Sequence, residues 1–130
     1  MSRSHARESV FKLIFEYGFT KEKDEVLLEE FLSEEQNKPE LGYIKEVYNG
    51  VIEKYDSLVE RVKMYSESFK VDRIFKVDMA ILLVAIYEMK YIKSIPNAVS
   101  INEALNLAKL YSTEKSNKFI NGILSNFVGE

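Results

Sequence analysis

A run of nine apolar residues at positions 79–87 constrains the fold of this chain more than any other feature. Asp78 and Glu88 bound the run, which is far shorter than the roughly twenty apolar residues that a membrane-spanning helix needs. A helix that is apolar all round is typical of a protein interior, where neighbouring elements cover every side. We therefore predict a central helix over residues 72–90, with the other elements packed around it.

The rest of the chain also predicts helices. The 130 residues include only five glycines and two prolines. No strand-like alternation lasts more than a few residues, and both Asn-Gly pairs lie inside helix-period patterns rather than between strands. The fold class is therefore all-α. The predicted helices cover about residues 4–18, 24–35, 39–66, 72–90, one that opens at residue 100, and one from 112 or 113 to 127.

Local signals place several of these boundaries. Gly18 is a plausible stop for the first helix, and Pro39 suits the first position of the third. That third helix is long, and Gly50 is a candidate for a bend. Ser100 and Glu103 match a capping box, in which the serine accepts from the Glu103 amide and the glutamate reaches back.

Composition excludes several classes of protein. A chain of 130 residues is one domain's worth, and we expect a single domain over residues 1–130. There is no cysteine, which excludes disulfides and thiolate metal sites. The first eight residues are polar and charged, unlike a signal peptide. A protein of the cytoplasm is expected.

Residues that could carry chemistry are scarce. His5 is the single histidine, and no glycine-rich phosphate loop is present. We therefore expect no catalytic residues, no metal site and no cofactor. The net charge is −3, and residues 24–40 hold seven acids and one lysine, which predicts a solvated acidic face. Any contact with nucleic acid must then be local.

The first helix has an apolar arc of about 200°, wider than the stripe of roughly 100° that a surface helix needs. Either the protein's own helices cover both sides, or the edge with Phe11 and Phe15 is left for a partner. Arg3 and Arg7 are four residues apart on one side of this helix. They could clamp one stretch of RNA backbone, or they could simply be solvated.

The last helix has a compact apolar face with Phe119 at its border. Lys115, Lys118 and Gly122 lie on the adjoining side of the helical wheel. A ring in this position could stack on an unpaired base while the lysines meet phosphates. The alternative is that Phe119 only closes the edge of the core.

Long motifs in the last third of the chain carry a family resemblance. They are S-I-N-E-A-L-N-L-A-K at residues 100–109 and E-K-S-N-K-F-I-N-G-I-L at 114–124, preceded by A-I-L-L-V-A-I-Y-E at 80–88. A shorter motif, R-S-H-A-R-E, occupies residues 3–8. Together they resemble the bacterial transcription antitermination factor NusB family. The resemblance implies a compact helical domain with two three-helix subdomains packed across one another.

The resemblance also implies a function. Members of this family pair with ribosomal protein S-ten, bind a single-stranded boxA element in nascent transcripts and help RNA polymerase read through terminators, chiefly in ribosomal RNA operons. Carried over to this sequence, two sets of residues are implied. The RNA-binding set is Arg3, His5, Arg7, Lys115, Asn117, Lys118, Phe119 and Gly122; the set that faces the protein partner is Phe15, Phe19 and Asp78.

Three departures from the family pattern concern the RNA surface. Ser4 and His5 stand where arginines are common, and Leu83 stands where an arginine is frequent. These changes imply a weaker RNA surface. Lys115 replaces a frequent acid and adds positive charge.

Two other functions stay open. One is a helical interaction module or homodimer that does not bind RNA, which the wide apolar arc of the first helix would support. The other is an enzyme, because this family's domain also occurs fused to ribosomal RNA cytosine methyltransferases. That function would need a methyl-donor domain after Glu130.

Overall fold

The computed structural model describes residues 2–67 and 73–130. This part of the chain contains seven α-helices, one 3₁₀ helix and no strand, which confirms the all-α prediction. The predicted start of the central helix at residue 72 lies outside the described residues. The helices are α1 (Ser2–Thr20), α2 (Glu25–Leu32), the 3₁₀ helix (Glu35–Glu40), α3 (Leu41–Glu53), α4 (Tyr55–Ser66), α5 (Lys76–Tyr91), α6 (Asn97–Tyr111) and α7 (Glu114–Ser125).

Helix α5 is the centre of the molecule, as its apolar run predicts. Every residue from Ala80 to Met89 is buried. Helices α1, α3, α4, α6 and α7 all pack against α5. Because neighbours cover every side, this helix has no need of a polar face, and its sequence has none. No helix in residues 2–67 or 73–130 has both the length and the apolar character to cross a membrane.

Helices α1 and α6 both run antiparallel to α5. The N-terminal part of α1 meets the C-terminal end of α5 at the pair Arg7 and Glu88, while Gly18 meets Lys76 at the other end. Helix α6 starts beside Glu88 through Ser100. The helices form two groups, α1–α3 and α4–α7, that pack across one another where α1 meets α5.

The second group holds four helices because the predicted third helix is interrupted. Pro39 lies inside the 3₁₀ helix instead of opening an α-helix. The interruption comes at Lys54 (φ −107°, ψ 16°), which separates α3 from α4. The interruption thus lies four residues after Gly50, the position at which a bend was predicted. A Cβ on Gly50 would lie 2.3 Å from ring atoms of Tyr87, so this glycine lets α3 approach α5 closely.

The predicted capping box is also wrong. Helix α6 begins at Asn97, directly after Pro96, so Ser100 lies in its first turn rather than at its start. The Ser100 hydroxyl donates to Glu88 (2.7 Å), and Glu103 accepts from Arg7 (2.6 Å). Ser100 and Glu103 thus bond to charged residues that are distant in sequence, instead of bonding to the backbone at the start of their own helix. At α7 the predicted start holds, with Thr113 as the N-cap.

Candidate nucleic-acid and protein interface

The residues predicted to bind RNA lie at two ends of the molecule. Arg3, His5 and Arg7 are near the C-terminal end of α5, whereas α7 lies near its N-terminal end, where Ser116 contacts Asp78. Asp78 and Glu88 are ten residues apart, which is about 15 Å along a helix. The two groups are therefore separate clusters. Helix α6 runs from one to the other.

In the first cluster, Arg3 is part exposed and already has a carboxylate partner. Its Nη2 atom lies 2.9 Å from Glu40, and its side chain is 41% exposed. The guanidinium also stacks over the ring of Tyr43, 4.4 Å from the centroid. The Nε atom is buried and has no hydrogen-bond partner among the described residues. Arg3 is thus held in place but retains an unused donor.

His5 has a similar environment. Its Nε2 atom lies 2.7 Å from Glu34, at hydrogen-bonding distance. Both side chains are part exposed. The neighbouring Ser4 hydroxyl donates to Glu103 on α6. Every polar side chain of this first turn that the family resemblance singles out therefore contacts a carboxylate of the same protein.

Arg7 differs from the sequence prediction, which treated it as an exposed partner of Arg3. It is only 4% exposed. It donates from Nε and Nη2 to Glu88 (2.7 and 3.1 Å) and from Nη1 to Glu103 (2.6 Å). Burial alone would lower the pKa of the Arg7 guanidinium, but its bonds to Glu88 and the charges around it more than offset this, so the pKa is raised. In this geometry Arg7 fastens the first turns of α1 and does not reach the surface.

Glu88 is the buried acceptor at the middle of this network. It is fully buried and accepts from Arg7, from the Tyr43 hydroxyl and from Ser100. The network joins α1, α3, α5 and α6. Burial, followed by the nearby Glu88 charge, raises the pKa of Tyr43 well above its ordinary value. Sequence analysis treated Glu88 only as the end of the apolar run; a lone acid at the end of a buried helix was the available signal that it must be paired.

The second cluster lies on α7 and has free cations. Lys115 and Lys118 are exposed, and neither makes an ion pair with another described residue. Asn117 is half-buried, and its side-chain oxygen has no hydrogen-bond partner in the described part of the chain. The backbone oxygen of Gly122 accepts from Ser125 and Asn126. This face of α7 is thus positive and amide-rich.

Phe119 lies at the boundary of this face. Its side chain is half-buried and packs against the hydrophobic core. Phe119 is one of the residues that line a cavity of about 660 Å³ between α7 and the start of α5. The cavity wall carries two cations and two acids. Its other lining residues are Arg73, Ile74, Phe75, Asp78, Thr113, Glu114, Lys115 and Ser116.

The wide apolar arc of α1 has a divided environment. Phe11 is buried beneath Tyr111 of α6, with ring centroids 5.1 Å apart. Phe15 is half-buried, and Phe19 is 60% exposed. These two rings form an edge-to-face pair at 5.1 Å, and Lys76 lies 5.5 Å from the Phe19 ring. On the edge with Phe11 and Phe15, the protein itself thus covers Phe11, while the part with Phe15 and Phe19 reaches the surface.

Asp78 does not face outward, as the sequence prediction required of a partner contact. It is buried, and it accepts hydrogen bonds from Ser112 (2.6 Å) and Ser116 (2.7 Å). Its position in the structure fastens the start of α7 to α5. Leu83 is also fully buried, so this departure from the family pattern removes no side chain from the present surface.

The described residues offer no metal site. Within residues 2–67 and 73–130, no group of three or more histidine or acidic side chains is arranged to hold a metal ion.

Comparison with known proteins gives matches along nearly the whole chain. The NusB family model matches residues 4–129. The transcription antitermination protein NusB of Finegoldia magna is 42% identical over 125 residues, covering 95% of this chain and 91% of the relative. The protein of the same name from Thermoanaerobacter sp. is 40% identical over 128 residues, covering 98% and 91%.

Two solved structures have a similar fold. T. maritima NusB superposes with a TM-score of 0.87 at 36% identity, covering 98% of this chain and 91% of that chain. The solution structure of NusB from Aquifex aeolicus gives a TM-score of 0.78 at 23% identity, covering 98% and 87%, and supports the fold alone.

Proposed function

Because this chain belongs to the NusB family of transcription antitermination proteins, we propose that it binds boxA-type single-stranded RNA together with ribosomal protein S-ten. The assembly joins the antitermination complex of RNA polymerase and promotes read-through, chiefly in ribosomal RNA operons. Residues 1–130 act as one RNA-binding domain in the cytoplasm. The role needs no cofactor and no catalysis.

The observation that carries the proposal is the half-buried ring of Phe119, which lines a cavity together with Lys115 and lies on the same helix as Lys118. Neither lysine makes an ion pair with another described residue. An aromatic ring at such a boundary can stack on an unpaired base, and stacking of this kind tolerates any base. Lys115 and Lys118 supply positive charge for phosphates. Asn117 adds an acceptor oxygen that has no hydrogen-bond partner among the described residues. Gly122 has no side chain, so a backbone could approach it closely.

The N-terminal turn supplies the other end of the RNA path. Arg3 and His5 are part exposed there, so they contact RNA, while Arg7 acts indirectly by holding α1 against α5 and α6. Three exposed polar residues of α6 lie between the two clusters and extend the path along the helix. They are Asn102, Asn106 and Lys109.

The exposed aromatic edge supports the partner contact. Phe15 and Phe19 form the edge-to-face pair described above. Phe75, which directly precedes Lys76 in the sequence, is 57% exposed. S-ten covers this edge, and Asp78 contributes by fixing the start of α7. The same exposed rings favour a second candidate function, a homodimer or interaction module that does not bind RNA.

The test is a titration of labelled boxA-type RNA, with a scrambled RNA of equal length as control, with and without S-ten, at two salt concentrations. We expect preference for boxA and tighter binding with S-ten. Phe119→Leu keeps an apolar side chain but removes the ring, and should cost about 1–3 kcal/mol of RNA affinity. Lys63→Ala, an exposed lysine of α4, serves as the control.

Two outcomes would count against this function. Equal affinity for both RNAs in the presence of S-ten would reject boxA recognition. A chain that dimerises in sedimentation experiments and binds neither RNA nor S-ten would favour the second candidate.

A further inference from the structure

The segment of residues 34–40 brings two carboxylates to the N-terminal turn of α1. Glu34 lies 2.7 Å from His5, and Glu40 lies 2.9 Å from Arg3. Both acids come from a stretch of sequence whose charges would be expected to be solvated. Instead, the side chains proposed to contact RNA at this end are occupied by carboxylates of the same chain. Lys115 and Lys118 at the other end have no such partners among the described residues.

These contacts are not made by a loose loop. Asn37, in the middle of the segment, is fully buried. Its side-chain amide donates to Ser9 on α1 (3.0 Å) and to the backbone oxygen of Phe31 (2.9 Å). The segment is therefore fastened to α1 at Ser9, about one turn from His5 and nearly two turns from Arg3. The side chain of Glu40 is only 16% exposed, which further limits its freedom.

The surroundings of the N-terminal turn are acidic. A cavity of about 610 Å³ between α1, the 3₁₀ helix and α6 is lined by Glu8, Glu35 and Glu103. The one buried cation there, Arg7, is neutralised by Glu88 and Glu103. This end of the molecule therefore offers no excess of positive charge to an approaching phosphate, unlike the face of α7.

We propose that Glu40, assisted by Glu34, competes with RNA phosphate for the side chains of Arg3 and His5, so that RNA contacts Arg3 only by displacing the Glu40 carboxylate. This inference rests on the proposed RNA-binding function. Arg3 is 41% exposed in this pair, so water reaches its guanidinium and weakens the attraction to Glu40. A phosphate already held nearby can therefore replace the carboxylate. RNA bound first at α7 supplies such a phosphate at high local concentration. A polyanion that makes no contact at α7 lacks this high local concentration. The ion pair between Arg3 and Glu40 therefore weakens the binding of such a polyanion.

The test compares Glu40→Gln with Glu35→Gln in the full chain. Glu35 lies in the same segment and pairs with Lys38 rather than with a proposed RNA contact, so both variants remove one negative charge from the same region. Binding of a labelled boxA-type RNA is measured over a salt series with S-ten present. We expect Glu40→Gln to bind about two- to fivefold more tightly than Glu35→Gln. For boxA-type RNA the slope of log K against log salt should change little, because the wild type and the variant make the same contact between Arg3 and a phosphate. For a polyanion that does not displace the carboxylate from the wild type, the slope should steepen by about 0.7, the value for one added phosphate contact on a single strand.

A second comparison assigns the gain to Arg3. Arg3→Ala combined with Glu40→Gln should lose the gain entirely. A scrambled polyanion, tested in parallel, should gain more from Glu40→Gln than boxA-type RNA does, since it lacks the contact at α7. Glu34→Gln, which releases His5, provides an independent variant if Glu40→Gln alters the thermal unfolding of the chain.

The outcomes separate this proposal from the function on which it rests. If the wild-type chain binds RNA and Glu40→Gln matches Glu35→Gln, competition is overturned while RNA binding stands. A gain that persists without Arg3 also overturns it. If neither the wild type nor Glu40→Gln binds RNA, both proposals fail. If Glu40→Gln binds RNA and the wild type does not, the support is strongest, because the Glu40 carboxylate then blocks the site.

Discussion

Arg7 and Glu88 form a two-point ion pair that joins the first turns of α1 to the last turns of α5 in the protein interior. The donor–acceptor distances are 2.7 and 3.1 Å, and the side chains are 4% and 0% exposed. Water cannot replace either partner at such a site. Loss of one partner therefore leaves an unpaired buried charge, which costs far more than the pair contributes.

Replacing Arg7 by methionine should destabilise the protein by about 3–5 kcal/mol. The methionine fills most of the space, but Glu88 keeps only Tyr43 and Ser100 as donors. Urea unfolding followed by circular dichroism measures the loss. Arg61→Met is the matched control, because Arg61 pairs with Glu130 near the surface and its loss should cost no more than about 1 kcal/mol. Equal losses in the two variants would contradict the buried network.

Protonation of Glu103 should lower the free energy of unfolding at acid pH. Burial alone would raise the pKa of its carboxyl, but hydrogen bonds from Ser4 and Asn106 and the charge of Arg7 hold the pKa below its ordinary value of 4.5. Because the folded-state pKa is lower than that of the unfolded chain, this contribution is present above about pH 4.5 and is lost as the pH falls through the folded-state pKa.

The measurement is the free energy of unfolding over this acid range for the wild type and Glu103→Gln. The variant should be less stable near neutral pH and should lose less stability on acidification. Glu60→Gln, which makes the same chemical change at an exposed glutamate of α4, is the matched control. Parallel curves for the wild type and Glu103→Gln would disprove the assignment.

Gly50→Ala should destabilise the protein although alanine favours helices. The new Cβ would lie 2.3 Å from the Tyr87 ring, which packs against Tyr91 and cannot easily move away. Overpacking outweighs the gain in helix propensity, and we expect a net loss of about 1–2 kcal/mol. Gly42→Ala in the same helix meets no atom within 4 Å and should stabilise by about 0.5–1 kcal/mol. Stabilisation by both variants in thermal unfolding would contradict the close approach of α3 to α5.

Helix α5 could be predicted from sequence because its environment is uniform. Neighbours on every side require apolar residues at every position. Such a run can therefore be recognised without knowing which helices pack against it. The interruption at Lys54 could not be predicted in the same way. No glycine or proline marks it, and the helical period continues through it. It depends on how α3 and α4 each pack on α5.

In the candidate site too, features that depend on a single helix could be predicted, whereas features that depend on tertiary contacts could not. The position of Phe119 at the boundary of α7 follows from periodicity within one helix. The burial of Arg7 and Asp78 does not, because their partners are distant in sequence: Glu88 is 81 residues from Arg7, and Ser116 is 38 from Asp78. The pairing of Glu40 with Arg3 was missed for the same reason. A charged residue on a helical wheel has a direction, but its partner is a property of the tertiary fold.

Phe19→Glu should remove the association with S-ten while leaving the fold intact. Phe19 is 60% exposed and contributes to the aromatic edge through its contact with Phe15. A carboxylate in the middle of an apolar interface is costly to desolvate, so we expect at least about a tenfold weaker complex, equal to about 1.4 kcal/mol. Because the ring is mostly outside the core, thermal unfolding should change little.

The control for this variant is Val99→Glu, which places the same charge on an exposed apolar residue at the start of α6, the opposite end of the molecule. Calorimetric titration with S-ten should show wild-type affinity for Val99→Glu and weakened affinity for Phe19→Glu. Retained affinity in both would move the partner contact away from the aromatic edge. A Phe19→Glu chain that loses self-association but still binds S-ten would assign this edge to contact between two copies of the chain instead, since the same exposed rings could serve either partner but not both at once.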